Sequence, residues 1–273
     1  MQKITKAMKM VSAAKLRKAQ EKIISTRPYA NKLNELFHHV ISVPEDKNNP
    51  LLVEREINTV LVVVITSDRG LCGSFNANIT KYATKYITEI NKEVKVITIG
   101  KKAGDYFGKR NYNLIEKYNG FFAHLNLEDS IKLANSIVKG YNDKEYDKVV
   151  LINNEFKSVA KQVIACQQFL PLRSEIGKEI TESGNQIDYI YEPSSKEILN
   201  SLIPKQLNMQ FWKSLLESNA SEHGARMTAM EIATNNASDL LKYLGLQYNR
   251  ARQDSITTEL LEIVAGAEAL QKG

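Results

Sequence analysis

The sequence has few features of secreted, membrane-spanning or disordered proteins. It contains two cysteines, Cys72 and Cys166, which give no disulfide framework and fit a reducing compartment. The longest apolar run in its first two thirds is Val60–Ile65, far short of the roughly 20 residues that cross a bilayer. Lysines interrupt the apolar residues of the N-terminus, which excludes a signal-peptide core. Because hydrophobic residues make up 43% of the 273 residues, a chain disordered throughout is also excluded.

Glycine and proline are scarce at both ends. Glycine is absent before Gly70, and no proline follows Pro204. Because these residues interrupt helices, the pattern predicts a helix, then a mixed domain, then a second helix. We place these parts at residues 1–56, 57–200 and 201–273.

An apolar seam at helical spacing runs along the N-terminal segment. Its members are Leu16, Ala19, Ile23, Thr26, Ala30, Leu33, Phe37 and Val40. The alternating steps of three and four residues are typical of a coiled coil. Towards the N-terminus the apolar positions shift to Ile4, Met8 and Val11, which predicts a different neighbour there. Pro28 predicts a kink or a local break.

The C-terminal segment, from about Lys205 to Leu270, also has helical periodicity. A ridge of small residues that lets a second helix approach closely consists of Ala225, Ala229, Ala233 and Ala237. The stripe continues through Leu240, Leu244 and Ala251. We therefore expect the two end helices to form one long antiparallel coiled coil.

The last turns of this segment are apolar on most of their circumference. The residues responsible are Ile256, Leu260, Leu261, Ile263, Val264 and Leu270. A helix that is apolar nearly all round must be surrounded, so we expect a partner to enclose it. Just before it, Arg250, Arg252 and Gln253 indicate polar contacts to that partner, with a solvent-exposed turn as the alternative.

Positive charge is concentrated at one end. Residues 1–43 hold nine of the 37 basic residues and two of the 31 acidic ones, which accounts for the formal net charge of +6. A basic coiled coil that binds nucleic acid is one interpretation. However, these bases flank an apolar seam, and aromatic residues are few, so we favour a solvated or partner-facing stripe.

The middle of the chain alternates strands and helices. The predicted strands are 59–66, 94–99, 113–118, 148–153 and 158–170, and the predicted helices are 76–91, 101–109 and 127–141. This alternation predicts a mostly parallel sheet. The fold class is therefore α/β, with a long antiparallel coiled coil of the end helices and a central Rossmann-like domain.

The sequence carries no strong catalytic signal. The segment Thr66–Asn76 follows the first strand and opens a helix, where α/β sheets bind phosphate, but it lacks the P-loop and dinucleotide fingerprints. We favour a structural turn, with a nucleotide-using enzyme as the alternative. The histidines have no metal-ligand spacing. We expect no catalytic, cofactor or metal site on this chain.

Four segments resemble the ATP synthase gamma subunit family: Gln2–Gln20, Ile65–Asn76, Glu222–Ala237 and Tyr248–Ala267. They occur in the family's order and span nearly the whole chain. The resemblance implies a non-catalytic rotor shaft that couples proton-driven rotation of the membrane ring to ATP synthesis or hydrolysis at the beta subunits. ATP, ADP and magnesium would bind to partner subunits.

The resemblance also implies contact residues. Those matching the beta-subunit contacts are Met8, Lys9, Arg252 and Gln253, all expected to face one region. Those matching the c-ring and epsilon contacts are Tyr189, Tyr191 and Glu192. The apolar tip would turn in an apolar sleeve. The implied partners are the alpha, beta and epsilon subunits and the c-ring, without nucleic acid and with membrane association only through the complex. The expected location is the cytoplasmic face of a bacterial inner membrane rather than the mitochondrial matrix.

Overall fold

A computed structural model describes residues 2–41, 49–159, 161–172, 192 and 194–272. Its elements are α1 (Gln2–Ile41), β1 (Thr59–Ile65), α2 (Phe75–Glu89), β2 (Glu93–Ile99), α3 (Lys101–Gly108), β3 (Asn113–Tyr118), α4 (Leu127–Asn142), β4 (Lys148–Phe156), β5 (Gln162–Leu170) and α5 (Ser195–Lys272). The five predicted strands and three predicted central helices are present, with ends that differ by a few residues.

The five strands form one sheet in the order β3-β2-β1-β4-β5. β1 lies at the centre and pairs in parallel with β2 and β4, whereas β5 runs antiparallel to β4. The run Val60–Ile65 occupies this central strand because its residues are apolar on both faces, and all six are buried. The prediction of a mostly parallel sheet is confirmed.

Alternate residues of β1 serve two separate cores. Leu61, Val63 and Ile65 belong to a core shared with α1, α4 and α5. Val60, Val62 and Val64 face a smaller core that contains residues of α2 and α3. The sheet is thus covered on both faces, as a Rossmann-like domain requires, and the end helices are part of its larger core.

The seam predicted for α1 is confirmed. All eight of its members are buried or half-buried, and Leu16, Leu33 and Phe37 are at most 5% exposed. The helix continues without interruption through Pro28, so the predicted local break is wrong. Proline removes one backbone hydrogen bond, but the buried seam residues on both sides of it hold α1 against the rest of the fold.

The first turns of α1 use a different face from the one predicted to be apolar. The heptad spacing continues through polar residues, and Thr5 and Lys9 contact α5 at Thr234 and Glu231. Ile4, Met8 and Val11 instead line a groove beside Leu71 and Phe122. The first turns of α1 therefore keep α5 as a neighbour through Thr5 and Lys9, and the predicted change of neighbour is not confirmed.

α5 is 78 residues long and extends well beyond α1. Every side chain from Asp239 to Ala267 is exposed. Leu240, Leu244 and Ala251, which were predicted to continue the coiled-coil stripe, are therefore not buried against the described part of α1. Among the described helices, none carries an apolar stretch long enough to cross a membrane.

Candidate functional site

The projecting part of α5 presents an apolar surface to solvent. The exposed fractions are 49% for Ile256, 57% for Leu260, 64% for Leu261, 68% for Ile263 and 55% for Val264. The side chain of Leu270 lies outside the described residues. At about 3.6 residues per turn these five side chains cover an arc of roughly 160° of the helix, which is broader than the narrow seam of a two-helix coiled coil. This surface calls for a partner that covers the arc.

The predicted polar contacts fall at two levels of the molecule. Arg252 and Gln253 are exposed on the projecting part of α5. Lys9 forms an ion pair with Glu231 at 2.6 Å, and Glu231 precedes Arg252 by about 30 Å along the helix. Met8 lies on the same turn as Lys9, beside the groove. The expectation that these four residues face one region is therefore wrong.

The residues predicted to contact the c-ring and the epsilon subunit are only partly described. Glu192 is exposed. Tyr189 and Tyr191 lie outside the described residues, so their assignment stays a prediction.

A buried ion pair, which the sequence reasoning missed, anchors α5 to the central domain. Arg226 Nη1 lies 2.7 Å from Glu222 Oε1, and the two residues are 8% and 6% exposed. The guanidinium also donates to the carbonyl oxygens of Arg69 and Gly70. The i,i+4 spacing of Glu222 and Arg226 was the available signal. The pair fixes the turn after β1 to the side of α5.

Burial controls the protonation of this anchor. Burial raises the pKa of Glu222, although Arg226 opposes the shift. Burial, together with the positive charge of Arg226 and Lys15, lowers the pKa of His223 to about 4. His223 is therefore neutral near pH 7, and its ring nitrogen Nδ1 lies 3.3 Å from Arg226 Nη1.

A second residue in the same turn joins three segments of the domain. The carboxylate of Asp68 accepts hydrogen bonds from the backbone N–H groups of Lys101, Gly120 and Phe122, at 3.0, 2.7 and 3.2 Å. Lys101 begins α3, and Phe122 lies in a short 3-10 helix, Phe121–His124. Asp68 thus ties the turn to the segments that follow β2 and β3.

Three polar side chains of this turn, Ser67, Cys72 and Asn76, contact one another. Ser67 Oγ donates to the carbonyl oxygen of Arg69 at 2.6 Å, and Asn76 Oδ1 accepts from the Ser67 backbone N–H at 3.0 Å. Asn76 Nδ2 also approaches Cys72 Sγ at 3.1 Å. These contacts favour the structural-turn interpretation of Thr66–Asn76. Across the described residues, no cluster of three or more His, Cys, Asp or Glu could hold a metal ion.

Comparison with known proteins agrees with this geometry. The family model described as ATP synthase matches residues 1–270. The ATP synthase gamma chain of Chlorobium phaeobacteroides is 50% identical, over 99% of this chain and 94% of the relative. That of Cytophaga hutchinsonii is also 50% identical, over 98% and 94%.

Solved structures share the fold. The central stalk and c-ring structure of the Tetrahymena thermophila mitochondrial ATP synthase contains a chain that matches with a TM-score of 0.64 and 24% identity, over 85% of this chain and 99% of that one. A chain of the Euglena gracilis mitochondrial enzyme matches with a TM-score of 0.62 and 20% identity, over 96% of both chains. On the strength of the family model and the relatives at 50% identity, the chain belongs to the ATP synthase gamma chain family.

Proposed function

We propose that this chain is the central rotor shaft of an F-type ATP synthase. It would couple proton-driven rotation of the membrane ring to ATP synthesis, or ATP hydrolysis to rotation. The observation that carries the proposal is the projecting part of α5, whose side chains are exposed on every face from Asp239 to Ala267. A helix exposed on every face gains no stability from packing, so an apolar surface on it calls for a partner that encloses it. A ring of alpha and beta subunits has the shape to enclose it.

The apolar tip would act as a bearing. Hydrophobic contacts are non-directional, so an apolar helix in an apolar sleeve can rotate without breaking a fixed set of hydrogen bonds. Ile256, Leu260, Leu261, Ile263 and Val264 supply this surface. We propose that Leu270 contributes to the same bearing surface.

Polar groups below the bearing would carry torque. Arg252 and Gln253 can form charge-assisted and amide hydrogen bonds to a loop of a beta subunit, and these bonds differ from one rotational position to the next. Met8 and Lys9, about 30 Å nearer the central domain, would meet a different part of the ring. Contacts that differ between positions can shift the three beta sites into different conformations.

The buried anchor explains how torque could pass from the domain to the shaft. The ion pair of Arg226 with Glu222 and its bonds to the turn after β1 resist rotation of α5 relative to the sheet. α1 also holds α5 just beyond this anchor, through the contacts of Lys9 and Thr5. The shaft would then turn with the domain as one body.

The remaining assignments follow from the same proposal. The chain would be non-catalytic, with ATP, ADP and magnesium on partner subunits. The central domain, with Tyr189, Tyr191 and Glu192, would face the c-ring and the epsilon subunit. The chain would lie at the cytoplasmic face of a bacterial inner membrane, held there only through the complex and without nucleic acid.

Reconstitution tests the proposal. The chain would be mixed with the alpha and beta subunits of the same organism, and the mixture separated by size-exclusion chromatography. The proposal expects one complex that contains all three chains and hydrolyses ATP. A chain that elutes alone, beside alpha and beta subunits shown to be competent with the gamma chain of a relative, would contradict it.

A further inference from the structure

The two edge strands of the sheet differ in how well they are protected against pairing. β3 is six residues long and carries Glu116 and Lys117, whereas β5 is nine residues long and contains neither a charged residue nor a proline. Short length, charged side chains and proline are means by which natural sheets keep their edges from pairing with other chains. Because β5 has none of these, its outer edge is suited to receive a further strand.

The outer backbone of β5 is free over most of the strand. Within the described part of the chain, β5 pairs only with β4, and it ends the strand order. A side chain reaches it only near its end, where Gln210 Nε2 of α5 donates to the carbonyl oxygen of Gln168 at 3.2 Å. Among the described residues, no hydrogen bond joins the backbone of 163–167 to a helix or a loop. In an antiparallel edge strand, alternate residues direct their N–H and C=O groups away from the neighbouring strand.

A trough of about 680 Å³ follows this edge, lined by residues of α1, α2, β4, β5 and α5. Cys166, which hydrogen-bonds with Tyr86 of α2, lies on one face of the sheet. Gln167 pairs with Leu151 and points to the opposite face, towards α1 and α5. Since both Cys166 and Gln167 line the trough, it wraps around the edge of the strand. An extended chain in the trough would lie with its backbone opposite that of β5.

The lining defines the class of partner. The described residues of the trough include two lysines, Lys148 and Lys213, and no carboxylate. Glu155, on the neighbouring strand β4, is already paired with Lys157 at 2.8 Å. The trough also contains six amide side chains, which can donate to and accept from a peptide backbone: Asn31, Asn34, Gln167, Gln168, Gln206 and Gln210.

We propose that the outer edge of β5 binds an extended acidic segment of a partner protein, which adds a strand to the sheet. Backbone hydrogen bonds would supply affinity, and the two lysines would select carboxylates on the added strand. β5 belongs to the central domain, whereas the surface assigned to the alpha and beta ring is the part of α5 beyond Asp239. The proposal therefore does not depend on the rotor function, and its failure would leave that function untouched.

Titration of the intact chain with a synthetic peptide tests the edge. The probe is a labelled, end-capped peptide of about nine residues, the length of β5, in which valine alternates with threonine and glutamate. We expect saturable binding with a Kd of roughly 0.1 mM, measured by fluorescence anisotropy. A peptide with lysine in place of glutamate, and one with a central proline, should bind at least about tenfold more weakly. Equal binding of either control peptide, or no binding of the glutamate peptide at about 2 mM, would overturn the proposal.

A charge reversal on the wall of the trough tests the role of the lysines. Lys213 is exposed on α5, so the variant Lys213→Glu should fold, and we expect it to bind the glutamate peptide about fivefold or more weakly. The matched control is Lys139→Glu, at an exposed position of α4 outside the trough, which should keep the full affinity. Equal affinities of the two variants would overturn the proposal.

Hydrogen exchange followed by NMR locates the bound peptide. In the free chain, the amide hydrogens of 163–167 that point away from β4 should exchange rapidly. At ten times its Kd, the glutamate peptide should slow alternate amides of this stretch by about tenfold. Slow exchange of these amides in the free chain would show that the edge is already paired, and protection confined to another part of the chain would show binding elsewhere. Either result would overturn the proposal.

Discussion

The guanidinium of Arg226 reaches across from α5 to the carbonyl oxygens of Arg69 and Gly70 while it pairs with Glu222 at 2.7 Å. This relationship fixes the exit of the long helix from the central domain. It also brings together two segments more than 150 residues apart in the sequence.

Removing this arginine should destabilise the fold strongly. Arg226→Met leaves the buried carboxylate of Glu222 without its partner and frees the two carbonyl oxygens. We expect a loss of about 3–5 kcal/mol in the free energy of unfolding, measured by urea denaturation. The matched control is Arg17→Met, whose ion pair with Glu21 is exposed, and which should cost about 0.5 kcal/mol or less. Equal effects of the two variants would show that the buried pair is not the anchor.

Protonation of His223 should make the fold sensitive to acid. The folded-state pKa is about 4, below the ordinary value of about 6.5. Between these values the unfolded chain binds more protons than the folded chain, so stability falls as the pH falls from about 6.5 to about 4. The raised pKa of Glu222 has the opposite effect on the pH dependence of stability. A variant that lacks His223 separates the contributions of the two residues.

The variant for this test is His223→Gln. Between pH 7 and pH 4.5 we expect its free energy of unfolding to fall by about 2 kcal/mol less than that of the unmodified chain. Urea denaturation at each pH measures this difference. The same replacement at His124, on the exposed surface, serves as the control variant. Parallel profiles for the unmodified chain and the His223 variant would contradict the assignment.

A polar substitution at the tip should weaken binding to the ring while leaving the stability of the free chain nearly unchanged. Leu261→Asn replaces a side chain that is 64% exposed in the chain alone, so the free energy of unfolding should change by about 0.5 kcal/mol or less. In an enclosing sleeve the lost apolar burial corresponds to about a tenfold or greater weakening of binding to the ring. Titration of the chain with alpha and beta subunits measures this. Ile115→Asn on β3 is the control, and a Leu261 variant that binds as tightly as this control would argue against the bearing.

Replacement by alanine should have opposite effects on stability at two glycines. Gly100 has a φ of 98°, and a Cβ there would lie 2.2 Å from the Thr66 carbonyl oxygen, so Gly100→Ala should cost about 3 kcal/mol or more. Gly245 lies in the exposed part of α5 with nothing within 4 Å. Gly245→Ala should therefore raise helix stability by up to about 1 kcal/mol, seen as a later loss of helical circular dichroism. A destabilising Gly245 variant would mean that the residue packs against another part of the chain.

Much of the fold was predictable because it depends on local patterns. The unbroken apolar run of β1 predicted a buried strand, and the heptad spacing of Leu16 to Val40 predicted the buried face of α1. The unbroken run records burial of the strand on both faces, and the heptad spacing records burial of one helix face.

The features that escaped prediction depend on distant partners. Nothing in the local sequence shows that Arg226 meets the carbonyl oxygens of Arg69 and Gly70, or that Asp68 accepts from three backbone groups. The seam at Thr5 and Lys9 was missed because polar residues occupy it, and periodicity was sought among apolar ones. Pro28 was given too much weight, because packing of the flanking turns outweighs one lost hydrogen bond.

Rotation of the chain within a reconstituted complex tests the central claim most directly. Cys166 is exposed and Cys72 is buried, so a gold particle can be attached at Cys166 while the alpha and beta subunits are fixed to a surface. On addition of ATP, the account predicts that the particle turns in one direction in steps of a third of a turn. A particle that stays still on complexes that hydrolyse ATP would contradict the account.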